Sequence, residues 1–365
     1  MKINFNQLDR SYLKYKAEYD KVAIETLESG WYILGTKGEQ FESEFLNYLG
    51  SKYCVGLNSG LDALILAFRA LGISEGDEVI VPANTYVASV LGITENGATP
   101  IFVEPDEYYN LDSTKIEEKI TDKTKAILVV HLYGQAADMN KIKAIADKHK
   151  LYLVEDCAQS HGACFDGKFT GTWGDIGCFS FYPTKNIGAF GDSGAIVTNN
   201  GEFYEKIKML RNYGSKVKYQ NEILGVNSRM DEIQAALLSV KLRYYSELRV
   251  ERECIAKEYL KRIKNPLIIL PNIRENAEHV WHLFVVKVTQ RENFQKYLSD
   301  NGIATQIHYP IPPHLSEAYK YLGKNKGSLP ITENYAERVI SLPLFEGMTQ
   351  EEINYVIDII NEFEG

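Results

Sequence analysis

Residues 151–159 read LYLVEDCAQ, and residues 177–195 read GCFSFYPTKNIGAFGDSGA. In the first stretch an apolar run stops at two acids, Glu155 and Asp156. In the second, another apolar run enters a sharp turn at Pro183. Lys185 lies just beyond it, followed by glycines 188, 191 and 194. Apolar runs of this length, bounded by Gly, Pro and Asp, read as buried strands of a parallel or mixed sheet. In open α/β sheets ligands bind beyond the carboxyl ends of such strands, where this chain carries an acid and a lysine.

Working outward, similar runs occur at Tyr53–Gly56, Glu78–Val81, Pro100–Val103, Ala126–Val130, Tyr152–Glu155, Gly177–Phe181 and Ala195–Thr198. Between several of them lie helical periods, at Leu61–Ala70, Tyr86–Glu95 and Asp138–Lys148. The alternation predicts an α/β domain with helices on both faces of the sheet. A long charged helix follows, from Met230 to Lys264, with Pro266 as its stop signal. The domain boundary is expected near Tyr245, dividing the chain into 1–245 and 246–365. The second part reads as a small α+β domain, with a strand at Trp281–Val288 and helices at Glu292–Asp300 and Gln350–Phe363.

Composition bounds what such a chain can be. With 365 residues, 45% of them hydrophobic and 24% charged, it has the apolar area for a large core, which excludes disorder as the main state. A net charge of −9 argues against nucleic acid or an anionic membrane as a partner. The opening MKINFNQLDR lacks the apolar core of a signal peptide, and runs such as Ala126–His131 are too short to span a bilayer. Five cysteines, at 54, 157, 164, 178 and 254, form no CxxC pair and no metal-ligand spacing. They are expected to be buried reduced thiols in a cytoplasmic protein without a metal site.

Four segments carry chemistry, and each has a plain alternative. Asp156 either caps the next helix or aims a carboxylate at a cofactor. Lys185 is either an exposed turn lysine or a pocket amine among Phe181, Tyr182 and Phe190, where burial would favour the neutral form that imine chemistry needs. In Cys54–Ala70, Asn58-Ser59-Gly60 opens a helix whose unpaired N–H groups suit an anion; on this segment alone an ordinary cap with Asp62 in the first turn is the favoured reading. Tyr86, after the strand at 78–81, could stack on a flat ring or fill core. Together they supply a phosphate cradle, a stacking ring, a strand-end acid and a pocket lysine. One cofactor uses all four, pyridoxal 5′-phosphate.

With these residues in this order the sequence resembles the DegT/DnrJ/EryC1/StrS sugar aminotransferases over about Gly30 to Thr349. The segments that carry the resemblance are EDCAQSHGA (155–163), SFYPTKNIGAFGDSGA (180–195), GVNSRMDEIQAA (225–236), GIATQIHYPIPPH (302–314) and SLPLFEGMT (341–349). It implies the aspartate-aminotransferase fold (fold type I), an α/β architecture with a large, seven-stranded, mostly parallel sheet domain and a smaller C-terminal α+β domain. It also implies residue roles. Lys185 matches the Schiff-base lysine, Asp156 the acid on the pyridine nitrogen and Gln159 the side chain beside the phenolic oxygen. Tyr86 matches the stacking aromatic. Gly60, Leu61 and Ser180 match the phosphate contacts, and Asn227 an asparagine that reaches the phosphate from the other subunit of a homodimer. Ser59 and Leu61 depart from the family's more frequent Gly-Thr pairing, which a backbone donor tolerates. Family members with His at the lysine position are dehydratases; Lys185 points to transamination. The stretch Lys218–Glu222, with FYPTKN and IHYPIPPH, is most similar to the branch that aminates C-3 of dTDP-3-oxo-6-deoxyhexoses, with L-glutamate as donor. On that likeness Tyr182, Lys218, His308 and Tyr309 are the candidate substrate contacts, and Arg211 and Lys216 join Lys218 in a basic loop. The alternatives are a C-4 aminotransferase and a cofactor-binding regulator without turnover.

Overall fold

A computed structural model describes residues 1–365. Helices α1 (Leu8–Lys14), α2 (Lys16–Ser29) and α3 (Thr36–Leu49) precede the sheet. The seven apolar runs form strands β1 (Tyr53–Leu57), β2 (Glu78–Pro82), β3 (Thr99–Val103), β4 (Thr124–Val130), β5 (Tyr152–Asp156), β6 (Ile176–Ser180) and β7 (Gly194–Thr198). They make one seven-stranded sheet in the order β1-β7-β6-β5-β4-β2-β3. Only β7 runs against its neighbours, pairing antiparallel with both β1 and β6. The parallel register places Asp156 of β5 beside Cys178 of β6 and Val130 of β4. This is the expected fold class, an α/β sheet covered on both faces.

Strand parity assigns the two faces. Val55, Val79, Leu128, Val154 and Ile196 point into one core with α4 (Gly60–Leu71) and α5 (Val87–Thr94). Ile80, Ile127, Val129 and Leu153 point the other way, onto α6 (Met139–His149). On that same side α3 packs over β1 and β7 through Phe41 and Phe45, which meet Cys54, Ala195 and Val197. Helix α4 is apolar on nearly every side because it lies between the sheet, α5 and α7 (Gly201–Leu210). Ser59 caps it by accepting the Asp62 N–H at 3.0 Å, and Gly72 ends it in the left-handed conformation.

The long helix is α8 (Glu232–Arg262), shorter at each end than its periodicity suggested. At its start Glu232 serves another helix. Its carboxylate accepts the N–H groups of Gly35, Lys37 and Gly38 at 2.8–2.9 Å, capping α3. At its end the chain leaves the helix at Ile263, ahead of Pro266, because Ile263 buries its side chain in the second core. The first half of α8 packs on α2 and α3, while Ile255, Ala256 and Tyr259 pack in that second core. Inside it, Arg252 binds Glu346 at 2.8 Å with both side chains out of solvent.

The C-terminal part is a three-stranded antiparallel sheet of β8 (Ile268–Ile269), β9 (Phe284–Val288) and β10 (Val339–Leu342). It is covered by α9 (Arg291–Asp300) and α11 (Gln350–Asn361), and α10 (Pro330–Arg338) leads into β10. The strand expected at Trp281–Val288 begins only at Phe284. Trp281 has a φ of +50°, and the backbone at Val280 and Leu283 bonds instead to Gly134 and Tyr133. No helix is long and apolar enough to cross a membrane. Four cysteines are buried as expected, but Cys254 is exposed on α8, a correction to the reading that all five are buried.

Candidate active site

The strands β4, β5 and β6 end at the floor of a cavity of about 790 Å³. That size lies within the usual range for ligand sites. Gly60, Leu61, Tyr86, Asp156, Gln159, Ser180, Tyr182, Lys185, His308 and Tyr309 all line it, although they come from segments up to 249 residues apart (60 to 309). Asn227 and Lys218 do not. Asn227 is exposed in a bridge with Asn212, and Lys218 lies on an exposed hairpin over the ring of Tyr219. Arg211 leaves the proposed basic loop altogether. Its guanidinium turns inward to Glu42 at 2.9 Å and to the carbonyl of Gly56 at 2.7 Å.

The two acids of β5 part company by parity. Asp156 continues the Val154 face and enters the cavity. Its Oδ1 accepts the Ala158 N–H at 3.0 Å and its Oδ2 accepts the Ser89 hydroxyl at 2.8 Å. Burial pushes its pKa up from the usual carboxylate value, opposed by these two bonds and by the charge of Lys185. Glu155 faces the other way and is saturated. It accepts the N–H groups of Gly171, Trp173 and Gly174 at 2.7–2.8 Å and that of His131 Nε2 at 2.9 Å. His131 Nδ1 accepts from Ala137 N–H at 3.1 Å, so its proton sits on Nε2. Glu155, His131 and Cys157 form the one compact cluster of metal-ligand type; the Glu155 and His131 atoms are committed to these bonds, and burial holds the Cys157 thiol protonated.

Past β6 the chain turns over Phe181–Ser193. The Lys185 N–H closes onto the Tyr182 carbonyl at 2.8 Å, and a side chain at Gly188 would sit 2.3 Å from the Pro183 carbonyl. The turn therefore needs glycine there. Lys185 is half-buried, and the surface it exposes is cavity wall. Removal from bulk water lowers its pKa to about 8, with Asp156 pulling in the opposite direction. It is the only lysine or arginine lining the cavity. The expected flanking aromatics do something else. Phe181 packs edge-on against Phe41 and Phe45, and Phe190 lies against Tyr19.

At the other end, the start of α4 leaves the Gly60 and Leu61 N–H groups without an acceptor one turn back. A Cβ on Gly60 would fall 2.4 Å from Ser180 Cβ, so glycine lets the helix start close against the Ser180 hydroxyl. These three donors, at the positive end of a helix dipole, form a cradle suited to an anion. Tyr86 is the N-cap of α5, half-exposed, its ring 5.2 Å from that of Tyr309. The Gln159 amide has a fixed orientation. Oε1 accepts the Tyr133 N–H at 2.6 Å, so Nε2 points inward, with one N–H on the Tyr309 hydroxyl at 3.0 Å and one left over. An anion cradle, a flat ring, a donor amide, an acid and an amine of lowered pKa around one cavity suit a phosphorylated pyridine aldehyde.

Sequence reasoning did not find Ser89, Thr85, His282, Phe5 or Asn6, all of which line the cavity. His282 Nδ1 and Asn186 Oδ1 lie 3.0 Å apart, and Asn186 Nδ2 donates to the Val280 carbonyl, so Nδ1 carries the proton and Nε2 is an acceptor. His308 Nδ1 bonds to Ser341 at 2.8 Å, and burial lowers its pKa to about 4. A lone histidine beside a tryptophan gave no signal. Ser89 lies three residues after Tyr86 on one helical turn, a spacing that was available to be read.

The chain is similar to known proteins over nearly its whole length. Residues 14–361 match the model of the DegT/DnrJ/EryC1/StrS aminotransferase family. The chain is 52% identical over 362 residues to dTDP-3-amino-3,6-dideoxy-alpha-D-galactopyranose transaminase of Aneurinibacillus thermoaerophilus, covering 99% of each chain. Among solved structures it superposes on Streptomyces venezuelae DesV in complex with a ketimine intermediate, with a TM-score of 0.97, 45% identity and coverage of 99% of this chain and 98% of that one. It also matches NtdA of Bacillus subtilis with the bound cofactor pyridoxamine phosphate, with a TM-score of 0.90, 35% identity and coverage of 98% and 84%. The cofactor of this chain is pyridoxal 5′-phosphate, and the chain belongs to the DegT/DnrJ/EryC1/StrS aminotransferase family.

Proposed function

We propose that the protein transfers the amino group of L-glutamate to the C-3 carbonyl of a dTDP-3-oxo-6-deoxyhexose, giving a dTDP-3-amino-3,6-dideoxyhexose. The observation that carries this reading is the full-length 52% identity to a transaminase named for such a sugar, on a cavity with room for a cofactor and a hexose. When bound, pyridoxal phosphate supplies a conjugated ring that withdraws electrons from the carbon bearing the amino group. The chain's own residues do the rest. Gly60 and Leu61 N–H with the Ser180 hydroxyl hold the phosphate, and Tyr86 covers a face of the ring. The free N–H of Gln159 serves the phenolic oxygen, and the Asp156 carboxylate pairs with the ring nitrogen. Lys185 Nζ, with a pKa of about 8, carries a usable neutral fraction near pH 7. It takes the donor's α-proton and later delivers a proton to the sugar carbon. Tyr182, His308 and Tyr309 also line the cavity, and this reading gives them to the sugar.

Asn227 and Lys218 act from a second copy of the chain in this reading, because neither reaches the cavity of its own. A homodimer is supported by the exposed apolar side chains of Tyr219 and Leu224, beside Lys218 and Asn227 in the chain. We assign residues 1–245 to cofactor binding and 246–365 to the smaller domain, and place the enzyme in the cytoplasm.

Purified protein, dTDP-3-oxo- and 4-oxo-6-deoxyhexoses and nitrogen-labelled glutamate provide the test. Label entering the 3-oxo substrate alone supports the reading. Label entering only the 4-oxo sugar, or neither, refutes it. Borohydride reduction of the reconstituted protein should fix the cofactor on Lys185, located by peptide mass.

A further inference from the structure

The carboxylate of Asp156 is the end of a short hydrogen-bonded chain. Its Oδ2 lies 2.8 Å from Ser89 Oγ, and Ser89 Oγ lies 2.7 Å from Thr85 Oγ1. Both hydroxyls are buried, Ser89 at 1% exposure and Thr85 at 2%. A hydroxyl has one proton to give, and an ionised carboxylate only accepts. The Ser89 proton is therefore committed to Asp156, and Thr85 must donate to Ser89. The chain runs in one direction, Thr85 to Ser89 to Asp156. With Oδ1 already accepting from Ala158 N–H, the bonds at both oxygens fix the plane in which the carboxylate meets the cavity.

We propose that Ser89, itself oriented by Thr85, is a positioning residue that holds Asp156 as an anion aimed at the ring nitrogen of the cofactor. Desolvation opposes that charge, and the Ser89 bond is among the interactions that counter it. The site's architecture gives the arrangement a further meaning. Thr85 and Ser89 flank Tyr86 at the first turn of α5. One turn of helix thus governs both the face of the ring, through Tyr86, and the charge at its edge, through Ser89. The proposal rests on the role given above to Asp156.

The test compares pyridoxamine phosphate with its 1-deaza analogue, in which carbon replaces the ring nitrogen. Neither forms a bond to Lys185. Dissociation constants are read by quenching of tryptophan fluorescence in the ligand-free protein, with far-ultraviolet circular dichroism checking the fold of each variant. Ser89→Ala should weaken pyridoxamine phosphate roughly tenfold more than the analogue, the scale of one hydrogen bond to a charged group. Ser89→Thr, which keeps the hydroxyl, should restore most of the difference, and Thr85→Val should show a smaller loss in the same direction. Equal weakening of both ligands by Ser89→Ala would mean that Ser89 only fills space, and would overturn the proposal. Asp156→Asn separates the two levels. If it abolishes the preference for the nitrogen ring while Ser89→Ala leaves it intact, the Ser89 role alone falls. If Asp156→Asn also leaves the preference intact, the reading of Asp156 falls and the Ser89 proposal with it.

Discussion

A half-buried lysine leaves a signature in stability that needs no cofactor to see. Lys185 has a folded pKa of about 8 against an ordinary 10.5. In the unfolded chain the amine keeps the ordinary value, so between these two pH values the unfolded state binds more protons than the folded one. Stability from this group therefore rises with pH through that window. Below pH 8 both states are charged, and the folded state bears the full cost of holding an ammonium away from bulk water. At 1.36 kcal/mol per unit, the shift corresponds to about 3 kcal/mol, most of it recovered by about pH 10. The perturbation is Lys185→Met, which keeps the length and removes the titration. Urea unfolding of the ligand-free wild type and variant at several pH values from 7 to 10.5 isolates the term, because all other titrating groups cancel in the difference. The variant should be the more stable near pH 7, and its advantage should shrink by about 2–3 kcal/mol as the pH rises. A difference that stays flat with pH would show that the amine is solvated in the free protein, and the argument for a neutral lysine at work near pH 7 would fail.

Other perturbations follow from the same geometry. Gly60→Ala puts a methyl 2.4 Å from Ser180 Cβ, so urea unfolding should register a loss of about 1–3 kcal/mol and phosphate-bearing ligands should bind less tightly. Arg252→Met strands the buried Glu346 and should cost about 3–5 kcal/mol in the same measurement. Against the upward push of burial, Arg252 and Lys241 hold Glu346 down to about 2 from 4.5, a stabilisation present above pH 4.5 and lost as pH falls towards 2. The variant should accordingly unfold at a higher pH in acid titration. Mixing Lys185→Ala with Asn227→Ala subunits should recover about a quarter of wild-type activity if Asn227 serves the neighbouring site, since half the dimers then hold one intact site, and nothing if it serves its own. A thiol reagent should label Cys254 rapidly in the native protein and the four buried cysteines only after urea, as followed by absorbance and peptide mapping.

The sheet was legible because parallel strands buried on both faces are nearly pure apolar runs, cut off by Gly, Pro and Asp. All seven runs pair in one sheet, displaced by no more than two residues at an end. The residues that line the cavity were legible for a related reason: many stand at strand ends and helix starts, where local pattern and chemistry coincide. What escaped depends on which layer covers which face. Nothing in the string ED says that the aspartate takes the cavity and the glutamate the loop, because parity is set by α4 and α5 on one side and α6 on the other. The early stop of the Trp281 strand follows from a left-handed residue that apolar alternation does not reveal. Arg211 looked like a free surface cation until Glu42, far away in sequence, supplied its partner. Cys254 lies in the charged stretch RVERECIAKE of α8, on a side of the helix that faces out.

The opposite facing of Glu155 and Asp156 constrains anyone who wishes to graft or redesign this region. Inserting or deleting a single residue within β5 rotates every downstream side chain through half a turn. Such an edit would exchange the neighbours' assignments at a stroke, sending the longer acid towards the ligand and the shorter one to the Gly171–Gly174 backbone it is too short to span. Transplants of the strand must therefore move in steps of two residues, and natural length variation is expected to collect in the connecting loops instead.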